Sequence, residues 1–389
     1  MADSQAVITG VAESDEVGRV PDSSPLQLQA EAAKNAIEDA GLRPEAIEGL
    51  FIQGSGFRDR FHFPQVAVGE YLGIEPRVSS SNDMGGSTPF AHIHYAKLAI
   101  EAGEIETALV TYGSTNYSDR KEGRSPPRPE PAIFNRQYQD PYGFVSPIAA
   151  YALAADRYMH EYGVSRADLA EIAVSTREWA KRNPKAMMQD DLTIEDILGS
   201  TPICEPLHKL DCCLISDGGG AVVLTNSETA TTADSPAVEI SGLSYTHTHD
   251  TIYQMDDLIV PAAERTARRA YEQAGIGPAE LDVAELYDSF TITVALLVES
   301  VGLAERGKAT ELFAEGETYP GGSIPINTNG GGLSYLHTGT YGIFPIIEAV
   351  RQVRGSAGDR QVADADTALA HGVGGKLSSH ASMILEGPA

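Results

Sequence analysis

Apolar and polar residues alternate near the start of the chain in "AVITGVAESD" (6–15) and again in "AVEISGLSYTHTHD" (237–250). A period of two predicts a strand at each. Helical spacing follows both strands, in "LQAEAAKNAIEDAGLRPEAIEGLFIQGSG" (28–56) and "PAAERTARRAYEQAGIGPAELDVAELYDSF" (261–290). Each of these runs from a helix into Ala-Gly, then a Pro that opens a short acidic turn, then a strand. Ala40-Gly41 thereby matches Ala274-Gly275, and Pro44 matches Pro278. Glycine at that point fits a helix C-cap, where φ is positive. "ETALVTYGS" (106–114) matches "DTALAHGVGG" (366–375), and each half closes on a strand, "GGAVVLTN" and "HASMILEG". Between them lie two glycine-rich elbows, "NDMGGS" (82–87) and "NTNGGGLS" (327–334).

An ordered repeat of this length predicts a duplicated α/β unit, with two sheets packed around shared central helices. The N-terminal half takes 1–115 and 207–235, and the C-terminal half takes 236–389. The stretch 116–206 has no second-half counterpart. It holds "RKEGRSPPRPEP" and two helical segments, and reads as an inserted loop region that shapes a pocket or a subunit contact.

Composition narrows the function classes. Hydrophobic residues make up 42% of the 389 and charged residues 21%, values usual for a globular protein. The 55 acidic residues outnumber the 28 basic ones, giving a formal charge of −27, and only eight of the basic residues are lysine. Such a surface repels nucleic acid and anionic membranes. It fits either a protein kept soluble at high salt or an acidic cytosolic enzyme. No apolar run reaches membrane-spanning length, and the start of the chain lacks a signal-peptide pattern, so the expected compartment is the cytoplasm. Cys204, Cys212 and Cys213 form neither a disulfide framework nor a metal knuckle.

The duplicated unit, the elbow, "ELYDSF", "NTNGGGLSYLHTGTYG" and "AHGVGG" resemble the thiolase superfamily. "PLHKLDCCLISDGGGAVVLT" and "ELYDSFTITVALLVESVGL" resemble its lipid-transfer-protein-type (sterol-carrier thiolase-like) branch. The resemblance spans essentially the whole chain. It implies two five-stranded mixed sheets in an α-β-α-β-α layering. It also implies a coenzyme A thioester as substrate, with no bound cofactor. A homodimer is implied too, as is a small zinc-ribbon/OB-fold partner subunit that helps hold coenzyme A. Apart from "RKEGRSPPR", no basic groove for the coenzyme A phosphates is visible in the sequence.

The departures from the family pattern carry the functional reading. The nucleophilic cysteine of thiolases falls here on Asp83, or on Met84 if the alignment shifts by one. The second family cysteine maps near Gly372. The family's oxyanion-hole Asn-Glu-Ala-Phe motif becomes Tyr287-Asp288-Ser289-Phe290. Only the histidine of the Gly-His-Pro motif remains, as His337. A carboxylate at Asp83 forms only a mixed anhydride with an acyl group, whereas double displacement needs a thiolate.

Members of this branch without the cysteine resemble aldolases acting on β-hydroxyacyl-CoA esters, notably with steroid side chains. Retro-aldol cleavage needs a base, an oxyanion hole and an acid. The resemblance makes His337 a donor to the thioester oxygen, and Tyr341 and Tyr245 acid/base groups. Gly374 and Gly375 offer amide donors, with His371 and Tyr287 nearby. Asp83 reads as a base, or as a turn-capping and orienting residue. Two alternatives remain: a β-ketoacyl-CoA thiolase or acyltransferase using Ser87 with His337 and His371, or a non-catalytic acyl-CoA scaffold. His247 and His249 alternate with Tyr245 but lack a third ligand, so no metal site is expected.

Overall fold

The computed structural model describes residues 5–54, 61, 63–124, 137–144, 146–230 and 236–388. Nine strands form one mixed sheet in the order β3-β2-β4-β7-β1-β8-β11-β10-β9. They are β1 Ala6–Glu13, β2 Gly49–Gln53, β3 Val78–Asn82, β4 Thr107–Thr115, β7 Asp217–Asn226, β8 Val238–His247, β9 Val283–Leu286, β10 Thr367–Gly374 and β11 Ser379–Glu386. Strands β5 Pro202–Cys204 and β6 Leu207–His208 make a separate two-stranded ribbon.

The expectation of two five-stranded sheets is corrected. The outermost strand of each half leaves unpaired N–H and C=O groups on one edge. Those edges meet antiparallel, with Val7 opposite Glu239 and Ile8 opposite Val238. Pairing removes two open edges from the molecule. In the C-terminal half, the place of β3 beside β2 is held by Ile326 alone, which bridges Ala284 of β9.

The duplication is visible residue by residue. Gly41 (φ +66°) ends the helix Pro25–Asp39, and Gly275 (φ +73°) ends the helix Ala263–Ala274. Pro44 and Pro278 each open a short 3₁₀ turn. Alternation along β2 splits the core. Leu50 and Ile52 pack with Ala32, Ala33 and Ala36 of the helix Pro25–Asp39. Phe51 faces the other way, into the main core with Phe90 and Ile93 of the helix Thr88–Glu101. The corresponding C-terminal helix, Ile343–Val353, lies buried against β9 and β10.

The stretch 116–206 is largely helical in its described residues. The helices Asn116–Lys121, Pro147–Tyr162, Arg166–Ala180 and Ile194–Gly199 occupy it. Ser165 and Asp168 form a capping box that starts the third of these, a helix that packs on Thr291–Ser300 and Ala309–Ala314. Residues 125–131 of the Pro/Arg-rich loop, and 132–136 after it, lie outside the described residues.

The first elbow sits against main chain on both sides. A Cβ on Gly374 would lie 1.8 Å from the Met84 carbonyl oxygen, and one on Gly342 would lie 1.7 Å from that of Gly86. The elbow, the end of β10 and the start of the helix Ile343–Val353 are therefore locked in contact.

Candidate active site

A cavity of about 1040 Å³ opens where the elbow, the ends of β9 and β10 and the helical insertion converge. Its lining includes Gly85, Gly86, Tyr287, His337, Val373 and Gly375. Tyr287 follows β9 directly, and its ring is pressed onto the elbow. A Cβ on Gly86 would lie 2.1 Å from the ring carbon Cε2. The phenol is 3.0 Å from His337 Nε2, with the two rings edge to face. His337 is fixed from its main chain, donating N–H to Ser216 Oγ at 2.8 Å. Burial pushes the imidazole down to about 4, so the ring is neutral near pH 7. Burial also holds the Tyr287 phenol well above its usual 10. With the ring proton on Nδ1, Nε2 accepts the phenol proton.

Tyr341 stacks on His337 at 6.1 Å and donates its hydroxyl to Asn329 Oδ1 at 2.7 Å. It stands behind the histidine and is not part of the cavity lining. Asn329 Oδ1 also accepts from Gly331 N–H at 2.7 Å. The same glycine turn, Gly331–Tyr335, is clasped by Asp288, whose carboxyl accepts from Gly332 N–H (2.6 Å) and Leu333 N–H (3.0 Å). Burial pushes Asp288 up to about 7 in spite of those donors. Sequence reasoning passed over Asp288. Its signal was the second residue of "YDSF", adjacent to an odd tyrosine.

The other expected site residues go elsewhere. Asp83 accepts from Gln53 Nε2 (2.9 Å) and from Gly85 N–H (2.8 Å), closing its own turn. Ser87 donates to the Met84 carbonyl (2.9 Å) and contacts Ser379; among the described residues no histidine is hydrogen-bonded to it. Gly374 is outside the lining, its backbone against Met84. Tyr245 is also away from the cavity, in an aromatic group with Tyr95, His94 and His247. His371 is buried in the sheet, paired to Ser382 Oγ (2.9 Å) and to His380 Nδ1 (3.3 Å).

Cys212 and Cys213 both line the cavity, which the sequence did not indicate. Burial pushes Cys212 up to about 12 and Cys213 higher, so neither is a thiolate near pH 7. Among the described residues, no group of three or more His, Cys, Asp or Glu side chains could hold a metal.

The expectation of no basic groove apart from "RKEGRSPPR" is corrected in part: Arg120 and Lys121 of that segment are joined by cations from elsewhere in the chain. Arg19, Arg120, Lys121, Lys209 and Arg177 all line this cavity, and none of its lining residues is acidic. Arg19 and Lys209 are far apart in sequence, which hides the cluster from a linear reading. The mouth is therefore positive on a chain of charge −27.

The buried histidine pair makes a prediction. Burial lowers His380 to about 3 and His371 well below 6.5. The unfolded chain takes up protons below about 6.5, while the folded pair does not. Stability is then complete above that pH and is lost as pH falls toward 3. Asp288 and Glu285, both raised by burial, act in the opposite direction. Denaturant unfolding of His380→Gln between pH 6 and 4 should show a shallower pH slope, by up to about 1.4 kcal/mol per pH unit. An unchanged slope would mean that the pair protonates in the native state.

Residues 6–228 match the thiolase N-terminal domain, and residues 244–387 match a thiolase C-terminal domain-like family. The chain belongs to the thiolase family. Within it, a steroid side-chain-cleaving aldolase of Thermomonospora curvata is 34% identical over 90% of this chain and 91% of its own. An acetyl-CoA acetyltransferase of Methanothermobacter thermautotrophicus is 30% identical over 95% and 96%. The solved structure of an Ltp2-ChsH2(DUF35) aldolase shares 32% identity over 98% of both chains, with a TM-score of 0.87. This thiolase-family chain therefore has relatives with aldolase and acyltransferase names at similar distance. No helix among its described residues is long and apolar enough to cross a membrane.

Proposed function

We propose that this thiolase-family enzyme cleaves a β-hydroxyacyl-CoA by retro-aldol chemistry. The observation that carries the reading is the Tyr287–His337 pair on the cavity wall, beside an elbow that presents no nucleophile. Asp83 is turned into its own loop, Ser87 is bonded to main chain, and both cavity thiols are held protonated.

Both members of the pair are neutral at rest, so Tyr287 carries its proton and His337 Nε2 is free to accept one. Tyr287 takes the β-hydroxyl proton as it passes its own to His337 Nε2. The O–H electrons become a carbonyl, the Cα–Cβ bond breaks, and its electrons pass into the thioester enolate. The proton then returns from His337 through Tyr287 to the enolate carbon. The products are a ketone or aldehyde and a shortened acyl-CoA. The glycines Gly86 and Gly375 let main chain approach the thioester oxygen, where amide donors stabilise the enolate. Tyr341 holds the histidine ring in place by stacking.

Four exposed cations at the mouth suit the phosphates of coenzyme A, an anionic group that the rest of the surface repels. A steroid or other lipid side chain as the acyl part is supported by the name of the aldolase relative and by the apolar cavity wall. A separate partner subunit is supported by the two-component name of the aldolase structure. A homodimer is supported by the open edge of β3 and by exposed Phe63, Val66 and Tyr71 beside it.

The test is product analysis. Incubation with β-hydroxyacyl-CoA esters should yield a carbonyl compound and a shortened acyl-CoA. Intact-protein mass spectrometry with β-ketoacyl-CoA should show no acyl adduct. A stable adduct on Ser87, Cys212 or Cys213 would overturn the reading in favour of acyl transfer.

A further inference from the structure

Among the described residues, Arg166, Arg351, Arg354 and Arg360 are largely enclosed and each pairs with a carboxylate, of Asp211, Glu13, Asp39 and Glu348 in turn. Arg177 is 3% exposed and has no carboxylate within ion-pair distance among the described residues. It donates Nε–H to Ser334 Oγ and Nη1–H to the Asp190 carbonyl, both at 2.9 Å. Those neutral acceptors position the guanidinium, and the Asp190 and Glu178 carboxylates act on its charge only from beyond ion-pair distance, too weakly to offset its burial. Its remaining nitrogen, Nη2, has no hydrogen-bond partner among the described residues, and the residue lines the cavity.

An enclosed cation with no carboxylate in contact is costly unless a ligand supplies one. The four exposed cations already serve the polyanionic end of a coenzyme A ester at the mouth. Arg177 differs from them in being buried, and the lining of the same cavity includes the apolar Met187, Met188, Leu192 and Leu333. That part of the lining is apolar, as an acyl pocket would be. Ser334, which holds the guanidinium, lies in the turn that leads to His337. A guanidinium held at Nε and Nη1 with Nη2 left to donate suits a carboxylate oxygen.

We infer that the acyl group of the substrate carries a free carboxylate, and that Arg177 is the residue that selects it. This rests on the retro-aldol reading for the reaction, but the recognition itself does not need turnover.

The test compares two ligands on the wild-type protein: a β-hydroxyacyl-CoA ending in a carboxylate, and the same ester ending in a carboxamide. Calorimetric binding and cleavage rate are both measured. The carboxylate ester should bind at least roughly 30-fold more tightly, and Arg177→Gln should reduce the ratio to near one, with Arg177→Lys in between. Thermal unfolding checks that each variant is folded, and the wild-type ratio stands if one is not. Equal binding of the two esters would overturn the inference and leave the retro-aldol reading intact. Preferential binding without cleavage of either would uphold the inference and overturn the retro-aldol reading. Binding of neither would overturn both.

Discussion

Tyr287→Phe is expected to lower the rate of C–C cleavage roughly a thousandfold, with little change in substrate binding. The phenol is the only group of the proposed relay that touches both His337 and the cavity. Removing one proton-transfer group from such a relay costs about 10² to 10⁴ in rate. Phenylalanine keeps the ring that seats Gly86, so the fold is preserved. His337→Asn should reduce the rate to a comparable degree. Tyr341→Phe should cost only about tenfold, because that hydroxyl is committed to Asn329. Steady-state rates measured by carbonyl release decide the order. If Tyr341→Phe were the most damaging of the three, the proton would travel through Tyr341 instead.

The same pair sets the pH dependence. His337 works as the neutral ring and loses its extra proton near 4. The wild-type rate should be nearly flat from pH 5.5 to 8.5 and should fall only toward pH 4. A fall centred near 6.5 would mean that the ring is more solvated than its burial indicates.

Gly342→Ala is expected to be the most destabilising of the small substitutions, by about 3 kcal/mol or more. The added methyl would lie 1.7 Å from the Gly86 carbonyl oxygen and 2.6 Å from its carbon. Both atoms belong to main chain, so no side chain can rotate aside. Either the elbow or the helix Ile343–Val353 must shift, and overpacking of this kind costs 1–3 kcal/mol even where side chains can move. Gly275→Ala provides the comparison. It has a positive φ but nothing within 4 Å of its Cβ, so only backbone strain of about 1 kcal/mol applies. Chemical denaturation of both variants measures the difference. A smaller loss for Gly342→Ala than for Gly275→Ala would mean that the elbow is not seated as described.

Much of the fold was legible because it is written twice. The paired Ala-Gly caps and the prolines after them fall at equivalent points of equivalent elements. The way the halves join was not legible. Pairing of β1 with β8 depends on two edges coming into register, and edge pairing leaves no mark in either strand. Among site residues, the sequence brought forward tyrosines at strand ends without fixing the direction of their side chains. Tyr245 and Tyr287 look alike on that basis. In the folded chain Tyr245 joins Tyr95 and His94, while Tyr287 meets His337. Arg177 was hidden for a different reason. It lies in a helix with the ordinary amphipathic pattern of "RADLAEIAVSTREWA", where an arginine is expected to face water. Asp288 was overlooked because its role is to hold a main-chain turn, and the turn forms only after β9 and the Gly331–Tyr335 segment come together.

The positive mouth has a consequence for which molecules reach the site at all. At physiological salt, a charge is felt over about 8 Å. A long polyanion such as RNA must lay many phosphates across the acidic exterior before any of them finds the cavity, and it is turned away. A compact anion a few charges strong can enter the mouth whole, within range of the cations and shielded from the carboxylates beyond. The acidic surface thus acts as a size filter for negative charge.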